Sequence, residues 1–151
     1  MSDNWITIIL KEPNYVPEEI RRENARNRLM EIALKFDEVK IFFSDQISFF
    51  DCGSNFDRIG CPNCNSDLPG NWWQETMSSD FENDTFKLEK YLTPCCNYSF
   101  SLNELIYDWP QGFGKFAIRA VNPDIGLLEK KHILELENIL GTELLVIYGH
   151  F

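Results

Sequence analysis

The sequence is poor in histidine and in positive charge, and it has no long apolar run. Its 14 Lys and Arg stand against 24 Asp and Glu in 151 residues, a formal net charge of −10. Such a chain repels nucleic acid and anionic membrane surfaces over long range, so neither is an expected partner. A basic protein is the partner this charge would suit, although acidity also serves solubility alone. No apolar stretch approaches the ~20 residues of a membrane span. The opening MSDNWITIILKEPN has neither the basic start nor the small-residue cleavage site of a secretory leader. With histidine only at 132 and 150, options for general acid–base chemistry are few. There is no phosphate loop, no His-Glu-x-x-His and no Gly-x-Ser-x-Gly. Gly112-Phe113-Gly114-Lys115-Phe116-Ala117 matches a dinucleotide fingerprint, but it runs into an expected strand and not into a helix, so it reads as a turn. Cysteines number five, and an odd count suits a disulfide framework poorly. A reducing cytoplasm is therefore the expected setting, where clustered cysteines point to metal or redox chemistry.

What is present is ample core material: 44% hydrophobic residues and 14% aromatic, with twelve Phe and four Trp. WITIIL, 5–10, predicts a strand. Pro17 and the acids Glu18 and Glu19 suit the start of a helix, whose inner face is Ala25, Leu29, Ile32, Ala33 and Phe36. Arg21, Arg22, Arg26 and Arg28 form a basic cluster on it. Within 11–40, however, seven basic residues meet seven acidic ones, which describes a solvated helix face. EVKIFFS, 38–44, and QISFFDCG, 46–53, predict two strands joined at Ser44-Asp45. WWQETMSSDF suggests one or two helical turns, and TFKLEKYL, 85–92, a strand. Ser101 and Glu104 have the spacing of a capping box. GKFAIRAVNP, 114–123, alternates as a strand. A helix follows, with Gly141 placed to end it, and TELLVIYGH closes the chain as a strand.

The outer parts thus read β-α-β, an interruption, then β-α-β. That order predicts an α+β fold: a ferredoxin-like split βαβ sandwich, one antiparallel sheet with two helices on one face. Residues 1–51 and 111–151 would form the sandwich, and 52–110 an inserted, cysteine-bearing subdomain. Trp72, Trp73, Tyr91, Tyr98, Tyr107, Trp109 and Phe113 crowd the insertion. Packing against the sheet is their expected role, with some left exposed as anchors for a partner. The acids of SSDFEND, 78–84, read as a solvated loop.

Four cysteines fall in two tight pairs. Cys61-Pro62-Asn63-Cys64 has the two-residue spacing that grips one ion from a turn, and Thr93-Pro94-Cys95-Cys96-Asn97 supplies a second pair. Over about 61–100 the sequence resembles the zinc-ribbon class, whose Cys-Pro-x-Cys knuckles bring two turns onto one zinc. That resemblance implies Cys61, Cys64, Cys95 and Cys96 as ligands of a structural Zn2+. The second pair departs from the usual pattern because its cysteines are adjacent. Neighbouring side chains in extended chain point opposite ways, so both reach one ion only if the backbone turns there. Cys52 is the reserve ligand, with His132 and His150 behind it. Four thiolates fill a tetrahedral shell and leave no place for a reactive water.

Cys-Pro-x-Cys also resembles the glutaredoxin active site. That chemistry needs the first cysteine at a helix N-terminus, whereas Cys64 runs into NSDLPGNWW, with Pro and Gly where a helix should grow. Between 61 and 100, six acids face only Lys87 and Lys90, which argues against the nucleic-acid binding common among zinc ribbons. The whole chain is broadly similar to small, uncharacterised bacterial proteins that combine a CPxC knuckle, a Trp-rich stretch and a TPCC pair. The expected role is a non-catalytic, zinc-stabilised protein-interaction module. A bacterial immunity-type inhibitor is one form of it, suggested by small size and acidic charge. The alternatives are a thiol–disulfide oxidoreductase using Cys61 and Cys64, and a zinc-dependent hydrolase with an incomplete cysteine shell.

Overall fold

A computed structural model describes residues 3–151. The chain runs through β1 (Asn4–Leu10), α1 (Glu19–Ala33), β2 (Glu38–Phe50), β3 (Arg58–Gly60), α2 (Gly70–Asp80), β4 (Phe81–Glu82) and β5 (Thr85–Phe86). It continues through β6 (Tyr91–Leu92), β7 (Ser99–Phe100), a 3-10 turn (Leu102–Glu104), β8 (Ile106–Asp108), β9 (Gly112–Val121), α3 (Lys130–Leu140) and β10 (Leu144–His150). It is a mixed α/β structure with antiparallel sheets. The largest sheet has the order β10-β1-β9-β2, every neighbour antiparallel. β1 is central, which explains why WITIIL is apolar without alternation: all of Trp5–Leu10 is buried.

Both α1 and α3 cover one face of this sheet. Ala25 and Leu29 from α1, and Leu136 and Leu140 from α3, meet Ile8 of β1 and Ile118 of β9 in one core. Gly141 ends α3 in the left-handed conformation (φ 81°), its N–H donating to Glu137 O at 2.8 Å. α1 stops at Ala33, so Phe36 falls outside the predicted helical face. The basic cluster on α1 is engaged locally. Arg21 donates to Ile139 O, Arg22 to Pro17 O, Arg26 to Glu23 and Arg28 to Glu135.

β2 is one strand of 13 residues, where a hairpin at Ser44-Asp45 was expected. Phe43 faces Phe116 and Ser48 faces Gly114, so the residues between them bulge out opposite Lys115. Ser44 Oγ lies 3.0 Å from Gln46 N and holds the bulge, and Ile47 N donates to Thr85 Oγ1 at 2.8 Å. Beyond the bulge, β2 and β9 extend as a ribbon out to Phe50 opposite Gly112. From there the chain crosses the helix-free face. Cys52 packs with Ile9, Ala117 and Ile147, and Gly53 bridges to His150 on the free edge of β10. On the same face Trp5 lies directly over Gly149, where any side chain would overlap the indole.

The segment after residue 52 folds around the end of that ribbon. Ile59, Cys61, Leu68, Leu102 and Leu105 join Ile47 and Phe113 in a second core. Trp73 is its main wedge: edge-on to Phe49 and Tyr107 at ring distances of 5.8 and 6.2 Å, and stacked on Phe56 at 5.9 Å. Its Nε1 donates to Tyr107 Oη at 3.2 Å, and Tyr107 donates to Leu102 O at 2.7 Å. Trp72, Trp73, Tyr107 and Phe113 therefore pack inward, whereas Tyr98 and Trp109 remain exposed. α2 runs eleven residues, longer than expected. TFKLEKYL is not a strand: its two ends belong to different two-stranded sheets. The cause is Asp80. Its carboxylate, only 1% exposed, accepts from Leu88 N, Glu89 N and Tyr91 Oη at 2.8–3.0 Å and folds 87–90 back on itself. The expected solvated acid is thus the buried anchor of its loop. Ser101 and Glu104 form the predicted capping box.

Candidate metal centre

Two six-residue turns face each other. The first, Cys61-Pro62-Asn63-Cys64-Asn65-Ser66, leaves the end of β3. The second, Thr93-Pro94-Cys95-Cys96-Asn97-Tyr98, joins β6 to β7. Their backbones repeat one pattern. Asn65 N donates to Cys61 O at 2.8 Å and Cys61 N to Ser66 O at 3.0 Å; Asn97 N donates to Thr93 O at 2.9 Å and Thr93 N to Tyr98 O at 2.9 Å. Asn65 and Asn97 both adopt the left-handed region, with φ 60° and 55°, a conformation asparagine tolerates better than most residues. Arg58 braces the first turn from outside, donating to Asn65 O, Asp67 and Asp108.

The sulfurs of Cys61, Cys64, Cys95 and Cys96 lie within 4.8 Å of one another, and all four are free thiols. Cys64–Cys95, Cys61–Cys96 and Cys95–Cys96 are separated by 3.4, 3.7 and 3.8 Å. Four sulfurs held ~2.3 Å from one tetrahedral ion sit about 3.8 Å apart. The cluster therefore has the spacing of a tetrathiolate cage, and it can hold a metal ion. Adjacent Cys95 and Cys96 both reach inward because the backbone turns at this point and passes into the left-handed Asn97.

Small polar groups surround the sulfurs. Asn63 Nδ2 and Thr93 Oγ1 each lie 3.5 Å from Cys96 Sγ and bring its pKa down to about 6. Cys64 is also lowered, chiefly by the Ser66 hydroxyl at 3.2 Å. Cys95 moves the other way, to about 12, through loss of water and hydrogen bonding to its sulfur neighbours. Four thiols this close cannot all ionise without a cation among them. Hydrogen bonds favour the thiolate at Cys96 most and at Cys64 in the same direction, and a metal would displace the remaining protons.

Cys52 lies outside the cluster. It is buried on the helix-free face, its Sγ 3.4 Å from Gln111 Oε1, and burial raises its pKa. His132 sits on α3 and His150 at the end of β10, and neither belongs to the cluster. Thr93, Asn63 and Ser66 were not singled out from sequence, although writing the two hexapeptides one above the other pairs Cys61 with Thr93, Cys64 with Cys96 and Asn65 with Asn97. Among the described residues no helix is long and apolar enough to cross a membrane. The chain matches no known protein-family model, no curated protein and no solved structure.

Proposed function

We propose that the chain is a non-catalytic protein-interaction module in which a structural Zn2+ on Cys61, Cys64, Cys95 and Cys96 staples a zinc ribbon inserted into a ferredoxin-like split βαβ sandwich. The observation that carries the reading is the approach of all four sulfurs to within 4.8 Å of one another. The repeated turn geometry supports the ribbon. The β10-β1-β9-β2 order, with α1 and α3 on one face, supports the sandwich. Four sulfur donors favour zinc over oxygen-seeking cations. When bound, the ion supplies cross-linking: it ties two turns of a segment with a small core of its own.

The same geometry weighs against the rival chemistries. Cys61, the residue that would attack in a redox cycle, is fully buried, and the next helix starts only at Gly70. A shell of four thiolates has no open position for the water a hydrolase needs. The net charge of −10 fits a basic protein partner, and a bacterial immunity-type inhibitor remains the form of interaction that small size and acidity suggest.

Metal analysis with thiol titration tests the site. About one zinc per chain is expected, with four thiols protected from modification until a chelator is added. A metal-free protein with a reversible Cys61–Cys64 disulfide would replace this reading with oxidoreduction. For the interaction, a captured basic protein should elute with rising salt, and a metal-stripped chain should capture less of it.

A further inference from the structure

The large sheet ends at β2, and among the described residues no strand pairs with the outer edge of Glu38–Phe43. Elsewhere the sheet's outer groups are taken up. Beyond the bulge, Ile47 N donates to Thr85 Oγ1. At the end of β10, His150 O accepts from Ser54 N at 2.7 Å and Tyr148 O from Asn55 Nδ2 at 2.9 Å. A bare edge is a template for another strand, and this one is apolar where it shows: Phe42 and Phe43 are 40% and 57% exposed.

These two rings look to opposite faces of the sheet. Val39 and Ile41 pack against the helix-side core. Phe43 shares their side, its ring under the Arg22 guanidinium of α1 at 4.2 Å. Lys40 stands opposite Arg119, whose guanidinium lies 5.9 Å from the Phe42 ring on the helix-free side. A groove of about 360 Å³ runs between α1 and β2, with Val39, Ile41 and Phe43 in its lining. Charges along it cancel. Glu19 and Glu23 stand with Arg22 and Arg26 on its α1 wall, and Glu38 holds Lys40 at 3.4 Å on the strand. In a chain of net charge −10 this edge is a neutral strip. It favours neither an acidic nor a basic peptide, and two copies can meet there without local repulsion.

The strand is also complementary to itself. Opposed residues of an antiparallel pair share a face, so a two-fold axis must pass between a residue and its own copy. With the axis at Ile41, Val39 opposes Phe43 of the second copy, and the apolar row on the helix side continues unbroken. On the other side Lys40 opposes Phe42, a cation against an aromatic ring, and Glu38 opposes Ser44. No like charges are opposed. An axis at Lys40 would set two ammonium groups face to face. An axis at Val39 would leave both phenylalanines beyond the end of the other strand, and one at Phe42 would carry Val39 against the bulge at Asp45.

We infer that β2 pairs with β2 of a second copy of this chain, antiparallel about Ile41, so that two four-stranded sheets join into one continuous sheet. The pairing depends on neither the metal nor a foreign partner.

Sedimentation equilibrium of the full-length protein as purified, over about 1–200 μM, should show a monomer–dimer equilibrium. Hydrogen exchange should show the amides of 38–43 gaining protection as concentration rises. Phe43→Lys sets a charge against Val39 of the second copy and should weaken the dimer about tenfold or more. Phe42→Lys opposes Lys40 of the second copy and should do the same, whereas Phe42→Glu gives that lysine an acid and should keep the dimer. Adding Lys40→Glu to Phe42→Lys should restore it. If Phe43→Lys fails to fold, the Phe42 and Lys40 variants carry the test. The inference is overturned by a monomer at every concentration, as when the edge takes a foreign strand instead. It is equally overturned by a dimer that leaves 38–43 unprotected or withstands both lysine substitutions. A dimer that Phe42→Lys weakens and Lys40→Glu fails to restore overturns the pairing about Ile41.

Discussion

Thr93 Oγ1 stands 3.9 Å from Cys61 Sγ, and the two residues hold equivalent places in two opposed turns. In the first turn that place carries a sulfur. In the second it carries a hydroxyl, and the missing sulfur is found two residues later at Cys95. The adjacent cysteine pair is therefore one sulfur shifted along a turn whose backbone is otherwise repeated.

A first expectation follows from that shift. Cys95→Ser should lose most of the metal affinity, by analogy with removal of any one ligand from a closed shell. Adding Thr93→Cys to it returns a sulfur to the place equivalent to Cys61, and the double variant should again hold one metal per chain. Metal content after dialysis against a weak chelator distinguishes the two, and a double variant as empty as Cys95→Ser would contradict the equivalence.

Metal removal should act locally first. The turns hold together β3, β6 and β7, all outside the large sheet. Stripping the metal, or Cys61→Ser, should therefore release amide protection across 58–108 while β1, β9 and β10 stay protected. Hydrogen exchange followed by mass spectrometry reads this directly, and simultaneous loss in both regions would show that the two cores unfold as one.

Glu104 makes the capping box sensitive to acid. The Lys90 ammonium, followed by the Ser101 hydroxyl and backbone N–H, lowers its pKa to about 2. A carboxylate depressed in the folded state adds stability above its unfolded pKa, and loses it as pH falls through the folded one. The side chain is 41% exposed, so solvent screens the pair, and Glu104→Gln should cost only about 0.5–1 kcal/mol at neutral pH. That difference should shrink below about pH 4.5 and vanish near pH 2 in denaturant melts of the two proteins. A difference that persists unchanged to pH 2 would remove Glu104 as its source.

Asp80→Ala should be far more damaging. It strands Leu88 N–H, Glu89 N–H and the Tyr91 hydroxyl beside a cavity, and a loss of about 2–4 kcal/mol is expected. Tyr91 offers an independent signal. Burial first, then the carboxylate, pushes its pKa to about 12, so spectrophotometric titration of Asp80→Ala should show one tyrosine ionising at lower pH.

The outer elements are legible in the sequence because each has a period and an end marker: WITIIL without alternation for a doubly buried strand, Phe116-Ile118-Ala120 for the helix-facing side of its neighbour, Gly141 for a helix stop. The insertion is less legible because its structure comes from contacts distant in sequence. Asp80 collects donors eight to eleven residues away and overrides the β propensity of TFKLEKYL. The Ser44-Asp45 break reads as a turn, yet the ladder to β9 continues through it as a bulge. The cysteine cluster is visible as spacing. The groups that tune its sulfurs are not, since Asn63, Ser66 and Thr93 acquire that role only once the turns face each other. Gln111 gave no signal at all, because its neighbour Cys52 lies 59 residues away.

Phe50 and Gly112 pair across the ladder, so everything from residue 51 to 111 leaves and returns at the same doorway. Closing so long an excursion adds little entropy beyond that of a short one, and the sheet need not know its length. A tight hairpin joining β2 directly to β9 would satisfy the same strands. The architecture is thus that of a socket, whose two strand ends meet at one place whatever the length of the segment they hold.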